Sequence, residues 1–171
     1  MEVEMKIAIG NDHAGVDLKE KVADFLKSKG YEVENVGTDT KESVDYPDIA
    51  RKVAKLVNDK ECEFGIVICG TGIGISIAAN KVPGIRCALC HNSFTAKLSR
   101  LHNNSNVLSL GARVIGDELA LDILDAYLTT YFEGGRHASP PGEAGHAAGH
   151  HRLPHRSGLS VHRHGSLRQA R

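Results

Sequence analysis

Through the first 133 residues, short runs of apolar and β-branched side chains alternate with longer stretches in which apolar residues recur every three or four positions. The first pattern belongs to strands and the second to helices. Residues 6–10 (KIAIG) predict a buried strand, and residues 16–29 a helix with Leu18, Val22, Phe25 and Leu26 on one face, stopped by Gly30. Residues 31–36 predict a strand around Val33. Residues 45–60 predict a helix whose inner face is Ile49, Val53 and Val57, with Pro47 tolerated in its first turn. Residues 64–69 (FGIVIC) are apolar apart from Gly65, as in a parallel strand covered on both faces. A glycine loop over 70–74 leads into a small-residue helix over 75–80, followed by a strand over 85–90. A helix over 93–102, a strand over 106–110 and a last helix over 116–131 complete the series, the last with Leu119, Ile123, Leu124, Tyr127 and Leu128 facing inward.

Five alternations of strand and helix predict an α/β fold, a three-layer αβα Rossmann-like domain with a five-stranded, mostly parallel sheet. Ligands of such sheets bind beyond the carboxyl ends of the strands. Those ends are Asn11-Asp12-His13, Gly37-Thr38, the loop over 70–74, His91-Asn92 and Gly111-Ala112-Arg113. Polar residues and glycines therefore gather on one edge.

Beyond Gly134-Gly135 the alternation stops. Residues 139–171 lack Ile, Phe, Tyr, Met, Cys and Lys and carry six of the ten histidines, a composition too poor in large apolar groups to offset the entropy of ordering. The reading is one α/β domain over 1–138 and an atypical, disordered Arg/His/Pro/Gly-rich tail over 139–171. The formal net charge of zero hides the same division: residues 1–138 hold 16 basic and 20 acidic side chains, and the tail holds five Arg against the single acid Glu143. No global basic field recruits nucleic acid or an anionic membrane. No apolar run approaches the roughly 20 residues of a membrane span, and acids stand where a signal peptide carries Lys or Arg, so a cytoplasmic protein with free thiols is expected.

The candidate chemistry centres on Cys69, Gly70, Thr71, Gly72, Ile73 and Gly74. A strand that feeds a glycine loop and then a helix presents unpaired amides and the positive end of the helix dipole, which together hold an anion. A dinucleotide fingerprint fails because Ile75 occupies its last glycine and the motif follows the third strand instead of the first. No Walker lysine follows either. A thiol at the strand's end, facing those amides, is expected to have its thiolate stabilised and to serve as a base or nucleophile. Thr71 stands within reach of the thiolate or a substrate oxygen. Asp12-His13 ends a strand and His102-Asn103 ends a helix, so both pairs are expected at the same edge as an acid–base set. Arg113, Arg136 and His137 are cations for an anionic substrate. Cys87-Ala88-Leu89-Cys90-His91 matches a haem-attachment pattern formally, but its cysteines lie inside a predicted strand, and the tail histidines lack the spacing of a metal site.

Six linked motifs run in order: Asn11-Asp12-His13-Ala14-Gly15, Ser43-Val44-Asp45-Tyr46-Pro47-Asp48, the segment 65–76 around Cys69, Asn80-Lys81-Val82-Pro83-Gly84-Ile85-Arg86, Ser99-Arg100-Leu101-His102-Asn103 and Gly134-Gly135-Arg136-His137. Together they resemble the sugar-phosphate isomerase family that contains type B ribose-5-phosphate isomerases and the galactose-6-phosphate isomerase subunits. The resemblance implies interconversion of ribose 5-phosphate and ribulose 5-phosphate in the pentose phosphate pathway, through an enediolate and without cofactor or metal. It implies Cys69 as the base, the backbone of Gly70, Thr71, Gly72, Ile73 and Gly74 as the anion hole, and His102 as the ring-opening acid. Asp12 and His13 then contact the sugar and its phosphate end, Asn103 a substrate oxygen, and Arg113 and Arg136 the phosphate. A homodimer or homotetramer with sites shared between subunits is also implied. One departure stands out: where the family places a second arginine, four residues beyond Arg136, this chain has Pro140. The alternatives are isomerisation of a hexose 6-phosphate and a non-catalytic phosphosugar-binding protein.

Overall fold

A computed structural model describes residues 4–134. The expected division at residue 138 and the tail over 139–171 lie outside the described residues. Five strands, β1 (Lys6–Asn11), β2 (Glu32–Asn35), β3 (Phe64–Cys69), β4 (Cys87–Leu89) and β5 (Val107–Gly111), alternate with five helices. The helices are α1 (Val16–Ser28), α2 (Tyr46–Asn58), α3 (Ile73–Asn80), α4 (Ser93–Asn103) and α5 (Asp117–Leu128). The sheet is parallel throughout, in the order β2-β1-β3-β5-β4.

The side-chain alternation of the central strands sorts the core into two layers. Ile7, Ile9, Phe64, Ile66, Ile68, Leu108 and Leu110 face α1, α4 and α5, where they meet Leu18, Val22, Leu26, Ala96, Ile123, Leu124 and Tyr127. Ala8, Val67, Cys69 and Val107 face α2 and α3, meeting Ile49, Val53, Val57, Ile75 and Ala79. Helix α2 comes close because that face of the sheet carries glycines: a Cβ at Gly10 would lie 2.7 Å from methyl groups of both Ile49 and Val53. The second layer, the one that holds Cys69, is thus thin and tightly filled.

The expected elements all form, with local differences. The helix expected from residue 75 begins at Ile73, so only residues 70–72 remain as loop. The strand expected over 85–90 narrows to Cys87–Leu89, because this edge strand pairs only with β5 over those three residues. Its outer side is occupied by Asn80, whose Nδ2 donates to Cys87 O (2.9 Å) and whose Oδ1 accepts from Cys87 N–H (2.8 Å). Leu119 does not face inward: it is 40% exposed, on the first turn of α5, while Ile123, Leu124, Tyr127 and Leu128 are buried as expected.

The chain leaves β1 toward β2 on one side and leaves β3 toward β5 and β4 on the other, so strand order reverses direction between β1 and β3. Such a switch point opens a crevice at the carboxyl ends of the two strands. Asp12 and Cys69 close those two strands.

Candidate active site

The β1 side of the crevice is clamped by a buried asparagine. Asn11 Nδ2 donates to Asp12 O (2.9 Å) and to Thr38 O (3.0 Å), tying the strand end to the segment after β2. The Asp12 N–H donates to Ile68 O (3.0 Å), which draws β1 and β3 together at the switch point. The Asp12 carboxylate accepts from Ala14 N–H (2.9 Å) and so caps the short 3-10 turn His13–Gly15. His13 is half-buried, and its Nδ1 has no hydrogen-bond partner among the described residues. Behind this wall the buried Lys19 donates to Thr38 O (2.6 Å) and pairs with Asp39, and that hydrogen bond holds the Asp39 carboxyl below its usual range.

On the β3 side, Cys69 is 5% exposed and its Sγ accepts the Gly72 N–H at 3.1 Å. The loop can bend back over the sulfur because Gly72 adopts φ +76°; a Cβ there would lie 2.5 Å from Leu89 Cδ1 and 2.9 Å from the Leu110 carbonyl carbon. Ser109 Oγ donates to Gly72 O (2.7 Å) and fixes the turn from below. Thr71 Oγ1 accepts from Ile73 N–H (3.2 Å), so this hydroxyl holds the first turn of α3. The amides of Thr71 and Gly74 make no hydrogen bond among the described residues, as expected for donors at a helix start. Arg113 leans over the loop: a Cβ at Gly70 would lie 3.3 Å from its Nη1. Tyr46, at the start of α2, covers the other flank, its hydroxyl 3.0 Å from where a Cβ of Gly74 would be.

The remaining cysteines differ from Cys69 in surroundings. Burial pushes the Cys62 thiol up to about 11 and the Cys87 thiol up to about 12, and raises that of Cys90. All three are neutral thiols at physiological pH. None of the four is in a disulfide.

His102 and Asn103 do not join this edge. A helix between parallel strands starts at the carboxyl edge and ends at the amino edge, and α4 ends immediately before β5 begins. His102 therefore lies at the opposite rim from Cys69, with at least the length of β5, about 13 Å, between them. Both side chains are exposed there. The expectation of one common edge is corrected accordingly: Asp12, His13, Cys69, Gly70, Thr71, Gly72, Ile73, Gly74 and Arg113 come together, and His102 and Asn103 form a separate pair. Arg136 and His137 lie outside the described residues.

The Ribose/Galactose Isomerase family model matches residues 7–140. The chain belongs to this family. It is 52% identical over 132 residues to ribose-5-phosphate isomerase B of Escherichia coli K12, covering 77% of this chain and 89% of the relative. It is 48% identical over 132 residues to D-erythrulose-4-phosphate isomerase of Pectobacterium atrosepticum, covering 77% and 87%. Among solved structures, ribose-5-phosphate isomerase B of Clostridium thermocellum superimposes with a TM-score of 0.76 at 62% identity over 77% of this chain and 89% of that one. The chain is an aldose–ketose isomerase of sugar phosphates. No described helix is long and apolar enough to cross a membrane.

Three residues of the isomerase's crevice received no role from the sequence. Ser109 carried a signal, a hydroxyl inside the apolar strand VLSLG. Tyr46 stood as an aromatic residue at a helix start. Asn11 had none beyond its place at a strand end, because the Thr38 carbonyl that it binds is distant in sequence.

Proposed function

We propose that this isomerase interconverts ribose 5-phosphate and ribulose 5-phosphate. The observation that carries the reading is the Cys69 sulfur at the switch point, buried under the Gly72 amide at 3.1 Å, in a loop whose Thr71 and Gly74 amides make no hydrogen bond among the described residues. Starting from the aldose, the Cys69 thiolate takes the proton from C2. The electron pair left behind forms C1=C2, and the carbonyl pair moves to O1. The loop amides and the start of α3 hold that oxyanion where its charge develops. The proton returns to C1 while the O2 proton passes to O1, leaving a C1 hydroxyl and a C2 carbonyl, so no external oxidant or reductant is consumed. Asp12 and His13 receive the sugar hydroxyls, His13 through an Nδ1 that has no partner among the described residues, and Arg113 with Arg136 receives the phosphate. The names of the relatives at 52% and 62% identity support the pentose substrate.

Ring opening needs a proton on the ring oxygen, and the proposed donor, His102, sits on the wrong rim for its own Cys69. The reading is therefore a homo-oligomer in which each subunit lends its amino rim, with His102 and Asn103, to the carboxyl rim of a second copy. Helix α3 supports this: Ile73 and Ile77 are 51% and 55% exposed on a helix that is apolar on all sides, the composition of a helix meant to be covered. The test is isomerisation of ribose 5-phosphate by the full chain. Activity that survives Cys69→Ser sinks the base assignment. A second reading, a four-carbon sugar phosphate as preferred substrate, is favoured by the D-erythrulose-4-phosphate isomerase relative. Ratios of kcat/KM across four-, five- and six-carbon aldose phosphates decide between them.

A further inference from the structure

Arg100 lies at the amino rim, 7% exposed, and forms no ion pair with any described acidic side chain. A buried cation without a counter-ion is costly, and an apolar residue of similar volume would fill the space more cheaply. What the guanidinium touches explains its presence. Its plane rests against two aromatic rings, 4.6 Å from the Phe64 centroid and 5.6 Å from that of Tyr127. Nε donates to Thr130 O (3.3 Å), and Nη1 donates to Ser105 O and to Asn104 Oδ1 (3.3 Å). One rigid fork thus joins the exit of α4 to the segment that follows α5.

Two of the gripped groups, Asn104 Oδ1 and Ser105 O, follow directly on His102 and Asn103 in the chain. Asn104 turns the chain out of the helix in a left-handed conformation at φ +45°, and its Oδ1 is an Arg100 acceptor. The Leu101 carbonyl accepts from Glu133 N–H (3.2 Å), and the Asn103 carbonyl accepts from Arg86 Nε. The last turn of α4 is thereby fixed on both sides while the His102 imidazole stays exposed. The positive charge also sits at the helix's carbonyl end, where the dipole favours it.

We infer that Arg100 is a positioning residue that fixes the orientation of His102 for ring opening. The inference rests on the role proposed above for His102. A lysine keeps the charge but has no diverging fork to span two segments.

Two substrates separate positioning from general stability. Ribose 5-phosphate closes a furanose ring through its C4 hydroxyl and must be opened. Ribulose 5-phosphate, with its C5 hydroxyl esterified, has no free hydroxyl to close a five-membered ring on C2. Exchange of its C1 proton in deuterium oxide, followed by NMR at saturating substrate, therefore needs the base but no ring opening. For His102→Ala and Arg100→Lys, kcat on ribose 5-phosphate is expected to fall at least about tenfold while C1 exchange falls less than about threefold. Asn104→Gly keeps the left-handed turn and removes one acceptor, so the same split is expected at roughly threefold. If His102→Ala splits the two rates and Arg100→Lys lowers both equally or neither, the inference is overturned and the His102 role stands. If His102→Ala shows no split, that role falls and takes the inference with it. Should Arg100→Lys not fold, Asn104→Gly decides alone: no split overturns the inference.

Discussion

The two rims of the sheet are built on opposite plans. At the carboxyl rim, backbone does the work: Gly72 turns at positive φ over a buried sulfur, amides point inward, and Asn11 and Ser109 hold peptide groups in place. At the amino rim a buried arginine locks the end of one helix, and the side chains of His102 and Asn103 stand exposed. The first plan suits stabilising a developing charge, which requires donors fixed before the reaction begins. The second suits delivering a proton to a site on another molecule, which requires exposure of the side chain and rigidity of its base. A single subunit holds the halves apart; the proposed assembly brings them together.

The largest expected effect breaks the carboxyl rim. Cys69→Ser is expected to lower kcat for ribose 5-phosphate by roughly 10²–10⁴-fold, the usual worth of a positioned proton-transfer group, with an unchanged melting temperature. Next comes a direct test of the separation between rims. Cys69→Ser and His102→Ala proteins, each nearly inactive alone, are mixed under conditions that exchange subunits. Hybrids with one intact composite site should restore up to about a quarter of the wild-type activity, as expected for random pairing in a two-fold assembly. No recovery would place His102 and Cys69 in the same subunit's site and refute the shared arrangement.

Gly72→Ala tests how far the carboxyl rim depends on backbone shape. The added methyl meets Leu89 and Leu110 and the residue must hold φ +76°, so a loss of about 1–3 kcal/mol in unfolding free energy is expected together with lower activity. Ser109→Ala removes one hydrogen bond to Gly72 O and should cost about 1 kcal/mol, read by chemical denaturation. The smallest effect concerns the wall behind Asp12. The Asp39 carboxyl is held low by Lys19, so its contribution to stability is present above the ordinary carboxyl range and is lost as pH falls through the lowered folded value. Asp39→Asn should therefore narrow the stability difference between neutral and acid pH. An unchanged difference would show that the exposed carboxylate contributes nothing measurable.

How much of this was legible in the sequence depends on the range of the interaction. The strand Phe64–Cys69 matches its expected bounds because a strand covered on both faces is written as an uninterrupted apolar run. Edge strand β4 was overextended because pairing with a single neighbour ends sooner than the apolar run does. The start of α3 was placed two residues late because glycine and isoleucine at 72–74 read as loop, although Thr71 supplies a helix-start acceptor. His102 was assigned to the correct kind of position, a helix end, but to the wrong rim. The direction of α4 between two parallel strands already fixes its end at the amino edge.

What the sequence determined by itself is the set of local elements, the glycine loop after Cys69 and the family to which they belong. Those follow from side-chain periods and glycine positions within about a dozen consecutive residues. Only the tertiary structure decided the strand order that puts Asp12 beside Cys69. That order arises from pairing between strands distant along the chain, and no local pattern encodes which strand a crossover will meet.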